Sequence, residues 1–331
     1  MLTATQRQTI QEVKRNISAM LYERVSRDMP GKFWDNACDR FRYLLDLPEE
    51  HYSRLRWHTF HVDGDLFNPY FYESHKERIT KAYHHLTAEL PKRYHLSAPK
   101  VMGEFGYDIG GSIVNESVLA TQHTVRTLFR KGILERLEEK SKRKRLLFLE
   151  IGAGYGGWGY HLKQLIPNAT YVIIDLPETL LFSASYLVTS LPKANHYLYN
   201  KNTFPISVSD YDFVLLPNYK NVMEKLTSQF DLVVNVDSFQ EMTSEQVEGY
   251  ASFISSNLAP DGILYSWNKD KQNKNVGTLN VSSVLQRFFT LTEITKQKTL
   301  LQKGKSVVRY FLNRNGKPSL FTSHEYVGRK E

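Results

Sequence analysis

Cysteine is nearly absent from this chain: Cys38 is the single one in 331 residues. That excludes an intrachain disulfide and any cysteine-rich zinc site. Long apolar runs are missing too, and none reaches the length of a membrane span. The opening stretch, MLTATQRQTIQEVKRN, holds no apolar core of the signal-peptide kind. Together these absences lead to the expectation of a soluble, cytoplasmic protein. Charged residues make up 24% and hydrophobic residues 41%, which excludes a disordered chain. The length allows a large core, with two domains or one domain and a sizeable extension. The net charge is +8. It favours an anionic partner such as a sugar phosphate, a nucleotide sugar or nucleic acid, and a solvated basic surface explains it equally well.

Residues 1 to about 140 carry little that reads as a parallel sheet. Thr9–Val25 has apolar residues at helical spacing and ends at Met29-Pro30-Gly31. Phe33–Leu47 reads as a second helix stopped by Pro48, and Glu73–Leu90 as another stopped by Pro91. Between them Arg54–Tyr72 mixes Arg, His and aromatic residues with turn residues. It reads as a stacking surface for a sugar or nucleotide, or as the packing face of an irregular segment. Gly103–Gly111 reads as a loop and Ser112–Leu137 as one or two helices. Lys140–Arg145, KSKRKR, marks a boundary. It is either a phosphate-binding patch or a solvated turn.

Beyond the boundary, strands and helices alternate, the pattern of a mostly parallel sheet with helices on both faces. Strands are expected at Leu146–Ile151, Tyr171–Ile174, Phe213–Leu216, Leu232–Val236 and Ile263–Trp267. Thr243 and Gln246 form a capping box for the helix that follows the fourth strand. Phe288–Thr295 and Val307–Asn313 read as a final antiparallel pair around Lys303-Gly304-Lys305.

The richest stretch is Leu146–Gly157, LLFLEIGAGYGG. An apolar strand ends in Glu150 and breaks into glycines before a helix. Bare backbone and a helix N-terminus then face a nucleotide-like ligand. Gly152, Gly154 and Gly157 satisfy the dinucleotide fingerprint G-x-G-x-x-G. Glu150 argues against a pyrophosphate there and suits a ligand with an ammonium and a sulfonium, S-adenosyl-L-methionine (SAM).

In doubly wound sheets ligands lie outside the carboxyl ends of the strands. The first strand supplies Glu150, Gly152, Ala153, Gly154 and Tyr155 for the methionine part of such a ligand. The second supplies Asp175, with Leu176 beside it, for the ribose hydroxyls; Asp175 is also explained as an acid before a helix. Asn218, after the third strand, would edge the adenine. The fourth ends in Asn235-Val236-Asp237-Ser238-Phe239-Gln240-Glu241-Met242, with Asn235 and Asp237 as further ligand contacts. No Asn-Pro-Pro-Tyr motif of amino-group methylation stands there. Asp237 and Glu241 are the candidates for the base that takes a hydroxyl proton, or for binding the acceptor. Glu241 is equally well a helix-start acid. His123, on a helix leading toward this domain, is the best histidine candidate for the base.

Acid-x-Gly-x-Gly at the end of a first strand resembles motif I of class I methyltransferases. The runs LEIGAGYGGWGYHL, YVIIDLPETLLFSASYL and VVNVDSFQEM together resemble the bacterial sugar O-methyltransferases of surface-polysaccharide gene clusters. The resemblance covers about 145–270. It implies a class I Rossmann-like sheet, mostly parallel with an antiparallel final hairpin, behind a mainly helical N-terminal extension. It also implies SAM as methyl donor, S-adenosyl-L-homocysteine as product, and a carbohydrate or nucleotide-sugar hydroxyl as acceptor. No divalent metal is predicted, nucleic acid is not the expected partner, and association of like subunits is left open. The expected domains are a substrate or lid region over 1–140, a SAM-binding domain over 141–315 and a tail over 316–331. Two other readings stand beside this one: a methyltransferase of RNA or another polyanion or small molecule, and a non-catalytic SAM-binding protein.

Overall fold

The computed structural model describes residues 2–28, 32–59, 62, 72–269, 280–296 and 323–330. The chain starts as helix α1 (Ala4–Glu23), set by a capping box at its entry. Thr3 Oγ1 accepts from the Gln6 N–H at 3.2 Å, and Gln6 Oε1 accepts from the Thr3 N–H at 2.9 Å. Its buried stripe is Ile10, Val13, Ile17 and Met20. Helix α2 (Lys32–Asp39) is shorter than its apolar pattern, and two 3-10 stretches follow at Arg42–Leu45 and Glu49–His58. Helix α3 (Tyr72–Thr87) comes next. The glycine-punctuated segment is a small hairpin, β1 (Tyr107–Ile109) against β2 (Ser112–Val114). Helices α4 (Glu116–Arg130) and α5 (Ile133–Ser141) are separated at Gly132, whose φ of +64° breaks the helical run.

The expected alternation then appears: β3 (Leu146–Ile151), α6 (Gly157–Leu165), β4 (Ala169–Asp175) and α7 (Pro177–Ser190). They are followed by β5 (His196–Leu198), β6 (Phe213–Pro217), α8 (Lys220–Lys225), β7 (Phe230–Val236), α9 (Ser244–Asn257) and β8 (Leu258–Lys269). The described chain closes with α10 (Val281–Leu285), β9 (Thr290–Lys296) and β10 (Ser323–Arg329). Among the described residues the main sheet has eight strands in the order β5-β6-β4-β3-β7-β8-β10-β9. All neighbours are parallel except β10, which runs antiparallel to both β8 and β9. The central strands are apolar on both faces; every residue of β4 is buried. That is the signature of a sheet covered by helices on both sides.

Within the main sheet two further details differ from the sequence reading. β5 is an additional edge strand beside β6. The partner of β9 is 323–329, so the segment read as a tail supplies a strand inside the sheet. The expected strand Val307–Asn313 and its turn lie outside the described residues, as does most of Arg54–Tyr72.

The N-terminal third is interlocked with the sheet domain. α1 packs along α7. Arg24 holds Glu178, the first-turn acid of α7, with two hydrogen bonds at 2.7 and 2.9 Å, and Arg42 adds a third at 2.9 Å. Burial drives the Glu178 carboxyl upward, but the two guanidiniums outweigh it and leave it below its ordinary value. Deeper in, the fully buried Arg56 donates to Glu104 at 3.0 Å, to Thr59 at 2.7 Å and to Ser117 at 3.1 Å. Its guanidinium lies 3.5 Å from the ring centre of Tyr155, in the turn after β3. Tyr186 of α7 donates to the same Glu104 at 3.0 Å and meets Tyr155 edge-on at 5.0 Å. Removing one partner of such a pair strands the other charge in the interior. Arg56→Ala is therefore expected to lower unfolding free energy by about 3–5 kcal/mol in urea titration. A loss under about 1 kcal/mol would show the pair to be dispensable.

Candidate active site

The turn between β3 and α6 is built for close approach. Gly152, Gly154 and Gly156 have φ of +75°, +57° and +89°. At Gly152 a side chain is excluded twice over: by its left-handed backbone, and because a Cβ would sit 2.1 Å from Ser238 Oγ. Ser238 follows β7, so the loops after β3 and β7 press against one another. A cavity of about 1350 Å³ opens at the carboxyl ends of β3, β4 and β7. It lies where the sheet's connections diverge to opposite sides, the usual ligand crevice of doubly wound sheets.

Glu150 and Asp175 both line it. Glu150 is buried, its carboxylate accepts from Tyr171 Oη at 2.8 Å, and desolvation raises its pKa to about 8. Asp175 accepts the N–H groups of Leu176 at 2.7 Å and Gly154 at 3.2 Å; burial outweighs these bonds and brings it to about 7. Ala153, Gly154, Tyr155 and Leu176 line the same cavity.

Asn218 lies at the mouth, donating to the Asp28 carbonyl at 3.4 Å, while its buried Oδ1 has no hydrogen-bond partner among the described residues. Asp237 and Glu241 both reach the cavity. Asp237 adopts φ +54° and its N–H donates to the Trp267 carbonyl at 2.8 Å. A left-handed non-glycine residue is uncommon, and Asp is among the types that tolerate it. Glu241 accepts from Trp34 Nε1 at 2.7 Å, a bond from α2 across the cavity.

Two predicted residues fall elsewhere. Asn235 is fully buried and does not line the cavity. Its amide donates to the Ile151 carbonyl at 2.9 Å and accepts from Phe239 N–H at 3.2 Å and Asn268 Nδ2 at 2.9 Å. It acts as a clamp joining β3, β7 and β8. His123 is also off the lining. It bonds Glu325 of β10 at 3.3 Å, and its ring lies tilted by 39° against that of Trp267 with ring centres 4.7 Å apart. Its partner strand lies far along the chain, so the structure ties His123 to β10 and not to the cavity.

The basic run is largely consumed by pairing. Lys140 and Lys144 reach the buried Asp231 at 2.7 and 2.9 Å, Arg145 reaches Asp212 at 2.7 Å, and Lys142 pairs with Glu139. The solvated-turn reading fits this better than a phosphate patch. The cavity is in fact acidic. Among the described residues, Asp28, Glu150, Asp175, Glu224, Asp237, Glu241 and Glu245 line it, against Lys220 alone on the basic side. The positive net charge of the chain lies outside this space. Among the described residues no group of three His, Cys, Asp or Glu is arranged to hold a metal, and no helix is long and apolar enough to cross a membrane.

The sequence reading missed the roof: Asp28, Trp34, Ser117 and Thr121 line the cavity from the N-terminal third. Trp34 stands on α2 and Ser117 and Thr121 on α4, and nothing in the local pattern tells that those helix positions meet a cavity at the ends of distant strands.

No protein-family model matches the chain, and no curated protein matches it. Solved structures do resemble it. A TehB-like SAM-dependent methyltransferase from Corynebacterium glutamicum is 15% identical over 65% of this chain and 98% of its own, with a TM-score of 0.37. An O-methyltransferase family protein from Burkholderia thailandensis is 11% identical, covering 64% of this chain and 59% of its own, TM-score 0.38. The N-methyltransferase NodS from Bradyrhizobium japonicum, solved with S-adenosyl-L-homocysteine, is 16% identical, covering 61% and 87%, TM-score 0.33. At this distance no activity or ligand passes from them to this chain. The α/β architecture stands on its own strand order: a mostly parallel Rossmann-like sheet with antiparallel final strands and a helical N-terminal region.

Glu150 and Asp175 hold their protons up to pH values near neutrality, and a positive charge placed against them displaces those protons. Affinity for a cationic ligand in this cavity should rise as pH climbs from about 5.5 to 7.5, by at most tenfold per unit for each proton released. Calorimetry with SAM in buffers of different ionisation enthalpy should report proton release, and Glu150→Gln should reduce it. A pH-independent affinity would contradict the role given to these acids.

Proposed function

We propose that this protein is a SAM-dependent O-methyltransferase that methylates a hydroxyl of a sugar or sugar-containing precursor in surface-polysaccharide or glycoconjugate biosynthesis. The observation that carries the reading is the acidic cavity laid against bare backbone at the ends of β3, β4 and β7. A sulfonium and an ammonium gain there what a pyrophosphate would lose. The residues fit the donor along its length. Glu150 is available to its cationic end, the backbone of Gly152–Gly154 to its methionine part, and Asp175 to its ribose. The unpartnered Oδ1 of Asn218 suits an exocyclic amine of adenine. When bound, the donor supplies an electrophilic methyl group on a positively charged sulfur.

This chain's residues would do the rest. An alcohol is a poor nucleophile until its proton is withdrawn, and Asp237 and Glu241 are the carboxylates at the cavity end of β7 that can accept it. Asp237 is presented on a left-handed backbone held by its N–H bond to the Trp267 carbonyl, and Trp34 orients Glu241. Alignment contributes as much as the base, because oxygen, methyl carbon and sulfur must be nearly collinear with reacting atoms about 3 Å apart. In the net step an O–C bond forms, the C–S bond breaks and the hydroxyl proton passes to a carboxylate. The N-terminal region, through Asp28, Trp34, Ser117 and Thr121, would shape the acceptor side and exclude water. Since it is interlocked with the sheet domain, removing residues 1–140 would expose the core rather than merely open a lid. A cytoplasmic location is part of this proposal.

The reading as a methyltransferase of RNA or another polyanion loses support from the same lining. Among the described residues the lining offers a single lysine and no cluster of cations for a phosphate, and the basic run that favoured the idea is paired.

Asp237→Ala should lower kcat by about 10²–10⁴-fold if it is the base, with SAM affinity within a few-fold of wild type. Glu241→Gln tests the alternative assignment in the same assay of labelled methyl transfer. Full turnover in both variants would remove the assignment, and absence of transfer by the wild type would favour a non-catalytic binding protein.

A further inference from the structure

The cavity does not end at the strand tips. It continues as a groove between α8 with its following loop and one face of α9. Gln246, Gly249, Ser252, Phe253 and Ser256 line it, at the spacing of a single helical face. Val247, Ala251 and Ile254 of α9 turn away from it and are buried, while the largely buried Tyr250 still reaches the cavity lining. Across the groove stand Thr227, Ser228 and Gln229. Its far end is pinned by Asn257, which accepts the Ser228 N–H at 3.0 Å and donates to the Phe253 carbonyl at 3.0 Å.

Gly249 is the telling residue. It sits inside α9, where glycine is the poorest helix former after proline. A Cβ built there meets nothing within 4 Å. Its backbone is not left-handed, so neither packing nor conformation demands a glycine. Gly249 is exposed, and the missing side chain leaves this side of α9 open to solvent and to a ligand lying along it. Hydroxyls and amides beside a half-buried Phe253 are the groups that hold a neutral sugar: donors and acceptors for its hydroxyls, a ring for its C–H face. The charged side chains along the groove are Lys220, Glu224 and Glu245, which give no cluster of cations for a phosphate.

We infer that this groove holds the sugar units flanking the methylated one, so that the acceptor is an uncharged oligosaccharide rather than a monosaccharide or a nucleotide sugar. The inference rests on the sugar reading above. The test uses the full chain, labelled SAM, methyl glycosides of glucose, galactose, mannose and rhamnose, and neutral oligosaccharides of two to five of the same units.

Transfer efficiency, kcat/KM, should rise about tenfold or more from one unit to three. Gly249→Leu should remove that rise by increasing KM for the longer acceptors. It should leave single-unit transfer and SAM affinity unchanged, with a melting temperature no lower than wild type. Gly249→Ala should raise the melting temperature, because the open space admits a methyl group. Equal transfer to one and three units would overturn the groove assignment while sparing the sugar reading. So would a Gly249→Leu variant that loses SAM affinity, since the groove would then belong to the donor. Transfer to none of these saccharides would overturn both.

Discussion

The buried contact between Arg56, Glu104 and Tyr155 is the constraint on which the site depends. Arg56 comes from a 3-10 stretch of the N-terminal third and Glu104 from the approach to a hairpin, while Tyr155 belongs to the glycine turn of the sheet domain. An unpaired guanidinium in that position would be prohibitively costly, so the three segments must arrive together. Once they do, α4 lies over the strand ends and Ser117 and Thr121 face the cavity. The Arg24–Glu178–Arg42 cluster repeats the device at the start of α7, beside Asp175. The N-terminal third is thus a structural part of the cavity wall.

Charge is distributed in opposition to the whole-chain figure. The sequence carries a formal +8, yet among the described residues the cavity gathers acids and admits one lysine. Neutralisation explains part of this: Lys140, Lys144 and Arg145 are tied to Asp231 and Asp212 on the side of the fold where β3 begins. Desolvation explains the behaviour of the acids inside. Glu150 and Asp175 sit where water does not stabilise their charge, so a cation would do what solvent cannot. A net charge summed over a chain describes solubility and long-range attraction; it says little about a crevice whose lining is drawn from many separate segments.

Along the sheet domain the strands and helices were legible because their periods are strong. β3, β4, β6, β7 and β8 run through the expected segments, and the Thr243–Gln246 capping box forms as its spacing dictates. The carboxyl-end rule then led to Glu150, Asp175, Asn218, Asp237 and Glu241 on one cavity. Asn235 resembled its neighbours in the same loop, but a side chain's direction there depends on the register between β3, β7 and β8, which no local pattern encodes. His123 and β10 failed for a related reason. Glu325, the partner of His123, lies some two hundred residues further along the chain, and β10 inserts between β8 and β9 instead of following the order of the sequence; neither arrangement leaves a local trace.

By itself, then, the amino-acid order determined the alternating elements, the glycine turn and the carboxylates at the strand ends, because each follows from short-range sterics and periodicity. Only the folded chain decided which acids share a space, which basic residues are cancelled, what roofs the cavity and where the groove along α9 leads. Those depend on segments brought together by burial of ion pairs and apolar faces across the whole length, and physical proximity of that kind is a property of packing rather than of sequence neighbours.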